Sequence, residues 1–136
     1  MTTASWALQR AIHTALTGDA ALTQLLGDGR VYDHVPRHVD PPYITFGQST
    51  ERDWSTGGDE GHEHILTLRV WSDGRGRKEI QAVVARVRTL LHDQPLTLTG
   101  HRLINLRHDF TEVRRSGDGE TLRGLVRFRA VTEPAA

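Results

Sequence analysis

Midway along this chain the hydrophobic period changes abruptly, and that change limits the folds open to it. From Glu63 to Ser72 apolar residues alternate, so Leu66, Leu68 and Val70 fall on one side of a strand and Thr67, Arg69 and Trp71 on the other. Asp73-Gly74-Arg75-Gly76 reads as a turn, and a helix opens near Gly76. The repeat then lengthens: Ile80, Val83, Val84, Val87, Leu90 and Leu91 line one face of a helix over about 77–92. A strand with one apolar side, followed by a helix with one apolar stripe, buries both by laying the helix on a sheet.

The other segments supply that sheet. Ala4, Leu8, Ala11, Ile12, Ala15 and Leu16 recur at helical spacing over 4–17, and Gly18 is a stop. A second short helix follows, capped by Asp19, with Leu22, Leu25 and Leu26 as its apolar face and Gly27 at its end. Val31-Tyr32 is a short strand, and Tyr43 to Gln48 reads as another. Between them Pro36, Pro41 and Pro42 keep the chain out of helix and out of a central strand. Residues 49–62 are polar, contain Gly57-Gly58 and Gly61, and read as a long mobile loop. The last third is β: a short strand over 96–99 comes first, then a long strand over 102–114 with Ile104, Leu106 and Phe110 on one side. A turn at Ser116-Gly117-Asp118-Gly119 leads to a returning strand over 121–132. In it Leu122, Val126, Phe128 and Ala130 face inward and Arg123, Arg127 and Arg129 outward, and Glu133 to Ala136 is a frayed tail. The order ααβββαβββ predicts an α+β domain: a mostly antiparallel sheet, a long helix packed on one face, and short N-terminal helices.

At 136 residues the chain is expected to form a single domain over 1–136. A hydrophobic content of 37% is low for a compact monomer and suits polar loops or a surface completed by partners. Lys+Arg and Asp+Glu both number 17, so no global charge drives binding to nucleic acid or membrane. The absence of cysteine removes disulfides and thiolate metal sites. Met1 to Trp6 lacks the basic start and apolar run of a signal peptide, and no apolar stretch approaches a membrane span, so a soluble protein made in the cytoplasm is expected.

No residue set resembles an active site. His34 and His38 have the spacing of helical zinc ligands, but the prolines around them remove the helix that would align them. His62 and His64 share a strand face beside Glu63, as a metal pair or as a solvated strand edge. Gly74-Arg75-Gly76-Arg77-Lys78 opens a helix but lacks the phosphate-cradling glycine and Ser/Thr pattern. The serines show no nucleophile elbow. Neither a catalytic residue, nor a metal, nor a cofactor is therefore assigned.

Two surfaces stand out instead. Arg107, Arg123, Arg127 and Arg129 alternate on the two long strands, either as a solvated face balanced by Asp109 and Glu112 or as a surface for DNA or an acidic partner. Trp54 lies in the polar 49–62 stretch beside Arg52, either folded back on the sheet or anchoring a partner, with Asp59 and Glu60 nearby.

The order of segments adds a family resemblance over roughly residues 4–132. Its carriers are the helices with Leu22, Leu25 and Leu26, then Val31-Tyr32-Asp33-His34-Val35-Pro36 and Pro42-Tyr43-Ile44-Thr45-Phe46-Gly47. Leu68-Arg69-Val70-Trp71-Ser72, Gly76 and the helix to Leu91 complete them. This order resembles the small phage tail-completion or tail-terminator proteins of siphophages, prophages and gene transfer agents. The resemblance implies a non-enzymatic virion protein that forms a homo-oligomeric ring, typically a hexamer, at the head-proximal end of a tail tube. Such a ring stops tube polymerisation and meets the head connector or stopper, while DNA passes through it without sequence-specific binding. Arg107, Arg123, Arg127 and Arg129 are then candidates for the lumen, and Arg52, Trp54, Asp59 and Glu60 for docking on the tube or the next subunit. The alternatives are a head-tail stopper or connector, a minor tail protein, a regulatory α+β module that binds a protein partner, and a small His-based metal-binding domain.

Overall fold

A computed structural model describes residues 2–73, 77–117, 119 and 121–135. The 73–76 turn, the Gly76 helix start and the Asp118 position of the last turn therefore lie wholly or partly outside the described residues. The elements are α1 (Ala4–Thr17), α2 (Ala20–Leu26), β1 (Val31–Tyr32), β2 (Tyr43–Asp53), β3 (His62–Ser72), α3 (Arg77–Leu91), β4 (Thr97–Leu98), β5 (His101–Arg115) and β6 (Leu122–Pro134). The fold is α+β. Its one sheet has six strands in the order β1-β2-β3-β6-β5-β4. The sheet is mixed: β1 runs parallel to β2, and the remaining pairs are antiparallel.

Local chemistry explains the helices. Thr3 caps α1 by accepting from the Trp6 N–H, and Asp19 caps α2 by accepting from the Leu22 N–H at 2.9 Å. Gly27 closes α2 with φ 88°, a conformation open to glycine and costly for a residue with a Cβ. Leu22 and Leu26 are buried, but Leu25 is 37% exposed: a helix this short turns only a narrow stripe to the core. The α3 helix has 15 residues and α1 has 14, so no helix is long, and the first helix matches the third.

The helices gather on one side of the sheet: α3 packs on β3, β5 and β6, α1 on β1, β4 and β6, and α2 on α1 and α3. Ile80, Val83, Val84, Val87 and Leu91 of α3 are buried among Leu66, Leu68, Val70, Val126 and Phe128. Gly124 of β6 lets α3 come close, because a Cβ there would lie 3.3 Å from Ile80 Cδ1 and 3.4 Å from Val84 Cγ2. The α1 helix reaches the same face through Ser5, whose hydroxyl donates to Glu51 Oε1 at 2.9 Å and lies 3.4 Å from His64 Nδ1. Asp19 ties α2 to α3 by a two-pronged bond with Arg86, at 2.8 Å and 2.7 Å.

The expected 49–62 loop is instead a hairpin. Residues 49–53 continue β2 and pair with β3 from Ser49↔Leu66 to Asp53↔His62. Trp54 still bonds across to Gly61, and Thr56 and Asp59 close the tip. The polar composition misleads because residues 49–53 are all exposed, so the apolar alternation that marks a half-buried strand is absent.

In β5, Leu106 is buried, but Ile104 is 49% and Phe110 39% exposed. Register shifts between Leu103 and Asn105 and between His108 and Phe110 break the period and turn these side chains away from the core. The C-terminus is not frayed through Pro134: β6 pairs Glu133 with Arg102 and Pro134 with His101.

Candidate assembly surface

Because the helices occupy one side, the other side of the sheet is a single face built from alternate residues of its strands. Register places Thr50 and Arg52 of β2, Glu63, Ile65, Thr67, Arg69 and Trp71 of β3, and Arg123, Leu125, Arg127 and Arg129 of β6 together. Arg107, Phe110, Glu112 and Arg114 of β5 join them.

The two groups of residues singled out from the sequence meet here. Arg52 Nε lies 2.6 Å from Glu63 Oε1, and Arg129 Nε lies 2.7 Å from Glu63 Oε2, so one carboxylate bridges two guanidinium groups. Burial pushes the Glu63 carboxyl up, but the bonds and charges of Arg129 and Arg52 outweigh it and hold it below the usual carboxylate range. Both guanidinium groups also stack on Trp54, at 5.5 Å and 5.1 Å from the ring centroid. Trp54 thus folds back on the sheet and remains 43% exposed.

The other arginines follow the same pattern of one aromatic or one carboxylate neighbour. Arg127 donates to Asp109 Oδ2 at 2.7 Å and lies 5.1 Å from the Phe110 centroid. Arg123 lies 5.7 Å from the Trp71 centroid, and Trp71 in turn stacks on Tyr43. Arg107 stands across from Arg129 and is 3.4 Å from Asp93. Asp59 closes the hairpin tip and Glu60 is 3.5 Å from His62, so neither joins the stacked group. Glu63, Trp71 and Phe110 complete the surface although sequence reasoning did not assign them to it. Strand alternation already put Trp71 on the side of Arg69 and Thr67, and continuing it backward through Ile65 puts Glu63 there too.

The histidine pairs do not make a centre. His34 and His38 lie in the irregular connection between β1 and β2, where their spacing of four aligns nothing. His62 and His64 stand 6.4 Å apart, and His64 is fully buried with Nε2 at 2.9 Å from Thr132 Oγ1. Among the described residues no three His, Asp or Glu side chains converge as metal ligands. No described helix is long and apolar enough to cross a membrane.

This surface carries exposed aromatic and guanidinium groups of the kind enriched where proteins meet. One chain in the solved virion of a native gene transfer agent particle superposes with a TM-score of 0.87 and 29% identity, covering 98% of this chain and 99% of that one. A second solved structure, 12% identical, superposes at a TM-score of 0.55 over 99% of this chain and 98% of its own, and shares the fold. No curated protein matches the chain. The family model of tail completion protein gp17 matches residues 10–133, and the chain belongs to that family of phage tail structural proteins.

Proposed function

We propose that this protein is a tail terminator: a non-enzymatic virion subunit that forms a ring, hexameric as the family resemblance implies, at the head-proximal end of a phage-like tail tube. The ring stops tube polymerisation and joins the tail to the head connector or stopper. The observation that supports this reading most is the end-to-end likeness to a chain of the gene transfer agent virion, at 29% identity over 98% of this chain.

The open sheet face gives the ring a mechanism. Arg107, Arg123, Arg127 and Arg129 turned toward the lumen would meet the phosphates of passing DNA. Each is tempered by a carboxylate or an aromatic ring, which favours weak, sequence-independent contact over tight binding. Arg52, Trp54, Asp59 and Glu60 on the β2–β3 hairpin are proposed to dock on the tube or on the neighbouring subunit. Particles made without the gene test the reading by negative-stain microscopy. Overlong tails, or finished heads and tails left apart, are expected; normal tails joined to heads would overturn it.

A further inference from the structure

Two strands of the sheet keep open edges, one on each side. β1 covers β2 only at Ile44 and Thr45, so among the described residues the regular segment from Ser49 to Asp53 has no strand on its outer side. β4 covers β5 only at His101 and Arg102. The middle of β5 is protected: two bulges interrupt it, the Asp93 N–H donates to the Leu106 carbonyl at 2.8 Å, and the His108 N–H donates to His92 Nδ1 at 2.9 Å. Beyond the second bulge, Phe110 to Arg115 is regular and no described strand lies outside it. Proteins usually blunt such edges with bulges, prolines or covering loops. Here the blunting stops where each open segment begins.

The two edges are complementary in pleat, direction and charge. Trp54 donates to the Gly61 carbonyl, so by alternation Thr50 and Arg52 also direct their backbone groups at β3, while Ser49, Glu51 and Asp53 direct theirs outward. Ser116 donates to the Thr121 carbonyl, so Phe110, Glu112 and Arg114 turn to β6, while Thr111, Val113 and Arg115 turn outward. Both edges therefore repeat every second residue over similar lengths. Through β3 and β6, β2 and β5 run antiparallel within one molecule. A neighbour related by rotation about an axis along the strands keeps strand direction and sheet face, so its β5 meets β2 antiparallel. When Glu51 lies against Val113, Arg52 faces Glu112 across the joint, on the same side as the arginine surface.

We propose that successive copies of this chain join edge to edge, the Ser49–Asp53 edge of one pairing as an antiparallel strand with the Phe110–Arg115 edge of the next. Unlike edges meet, so the contact is head-to-tail and closes into a ring under rotation. The sheet then runs on from subunit to subunit, and every arginine surface faces the same side. The inference rests on the ring proposed above and adds which surfaces build it.

The absence of native cysteine gives a clean test. Thr50→Cys is combined in turn with Phe110→Cys, Glu112→Cys and Arg114→Cys, all on the open sheet face, and assembled particles are mildly oxidised. The close Cα approach of a non-hydrogen-bonded antiparallel pair, about 4.5 Å, suits a disulfide. One combination should shift the monomer band to a ladder of covalent oligomers that collapses on reduction, while each single variant stays monomeric. No ladder in any combination, from particles whose rings and joints are normal, would overturn the edge pairing and leave the ring standing. Dimers from Thr50→Cys alone would overturn it too, because they require like edges to meet. Loss of the ring reading shows up separately, as wild-type particles without a ring of this chain. Where a double variant does not assemble, Val113→Pro replaces it. That position spends no N–H on β6, so the monomer should keep its strand content and lose rings; normal rings would sink the proposal.

Discussion

His64 is the side chain whose chemistry depends most on the fold around it. It is fully buried, with Thr132 on one ring nitrogen and Ser5 near the other. Burial lowers its pKa below the ordinary 6.5; Glu51 opposes that shift, and His62 and His101 reinforce it. The unfolded chain therefore takes up a proton near pH 6.5 that the folded chain refuses, so stability falls as pH drops from there through the depressed folded value. His108 titrates in the same direction, held down first by burial and then by Arg88 and His92. Denaturant midpoints between pH 7 and 5 should fall for the wild type and fall less for His64→Gln, which itself costs about 1–3 kcal/mol at pH 7 through its altered buried bonding. Asp19 behaves in the acid range: its bond to Arg86, against a smaller opposing effect of burial, lowers its pKa from 3.8 to about 2. Its contribution is present above pH 3.8 and is lost as pH falls through 2. Asp19→Ala, which removes cap and ion pair together, should cost about 1–2 kcal/mol in equilibrium unfolding at neutral pH.

The contact between α3 and β6 is set by one missing side chain. Gly124 has a negative φ and needs no special conformation; its value is the space it leaves for Ile80 and Val84. Gly124→Val should lift α3 from the sheet and cost about 1–3 kcal/mol, read as a lower thermal midpoint with unchanged helix content. The β2–β3 hairpin shows the opposite case, an element invisible to pattern. Its end was unreadable because exposure on both sides removes the period that sequence can reveal, whereas its turn glycines were plain. In β5 the bulges displaced Ile104 and Phe110, and nothing in the local sequence announces an extra residue in a ladder.

For the molecule as a whole, the asymmetry of the sheet matters more than any one contact. One side carries the core; the other carries arginines stacked on aromatic rings and bridged by carboxylates. Paired surface charges contribute little to stability, about 0–1 kcal/mol each. The double variant Arg123→Gln, Arg127→Gln, which leaves the buried Glu63 both of its partners, should therefore unfold within a few degrees of the wild type. If the face lines the lumen, the same variant should lower the yield of infectious or DNA-transferring particles without changing tail length. Equal yields would remove the arginines from the DNA path.

Helix positions, the capping role of Asp19, the inward set of β6 and the α+β class were legible because each rests on interactions within a few residues: a period, a cap, a glycine stop. The family, too, was legible in the order of short segments from Val31 to Leu91. The tertiary structure decided what depends on residues far apart. Only pairing with β3 makes residues 49–53 a strand, and only packing decides that Leu25 stays outside while Leu26 goes in. Glu63 becomes a bridge because β2 and β6 bring Arg52 and Arg129 to either side of it, a meeting of residues that no local period encodes.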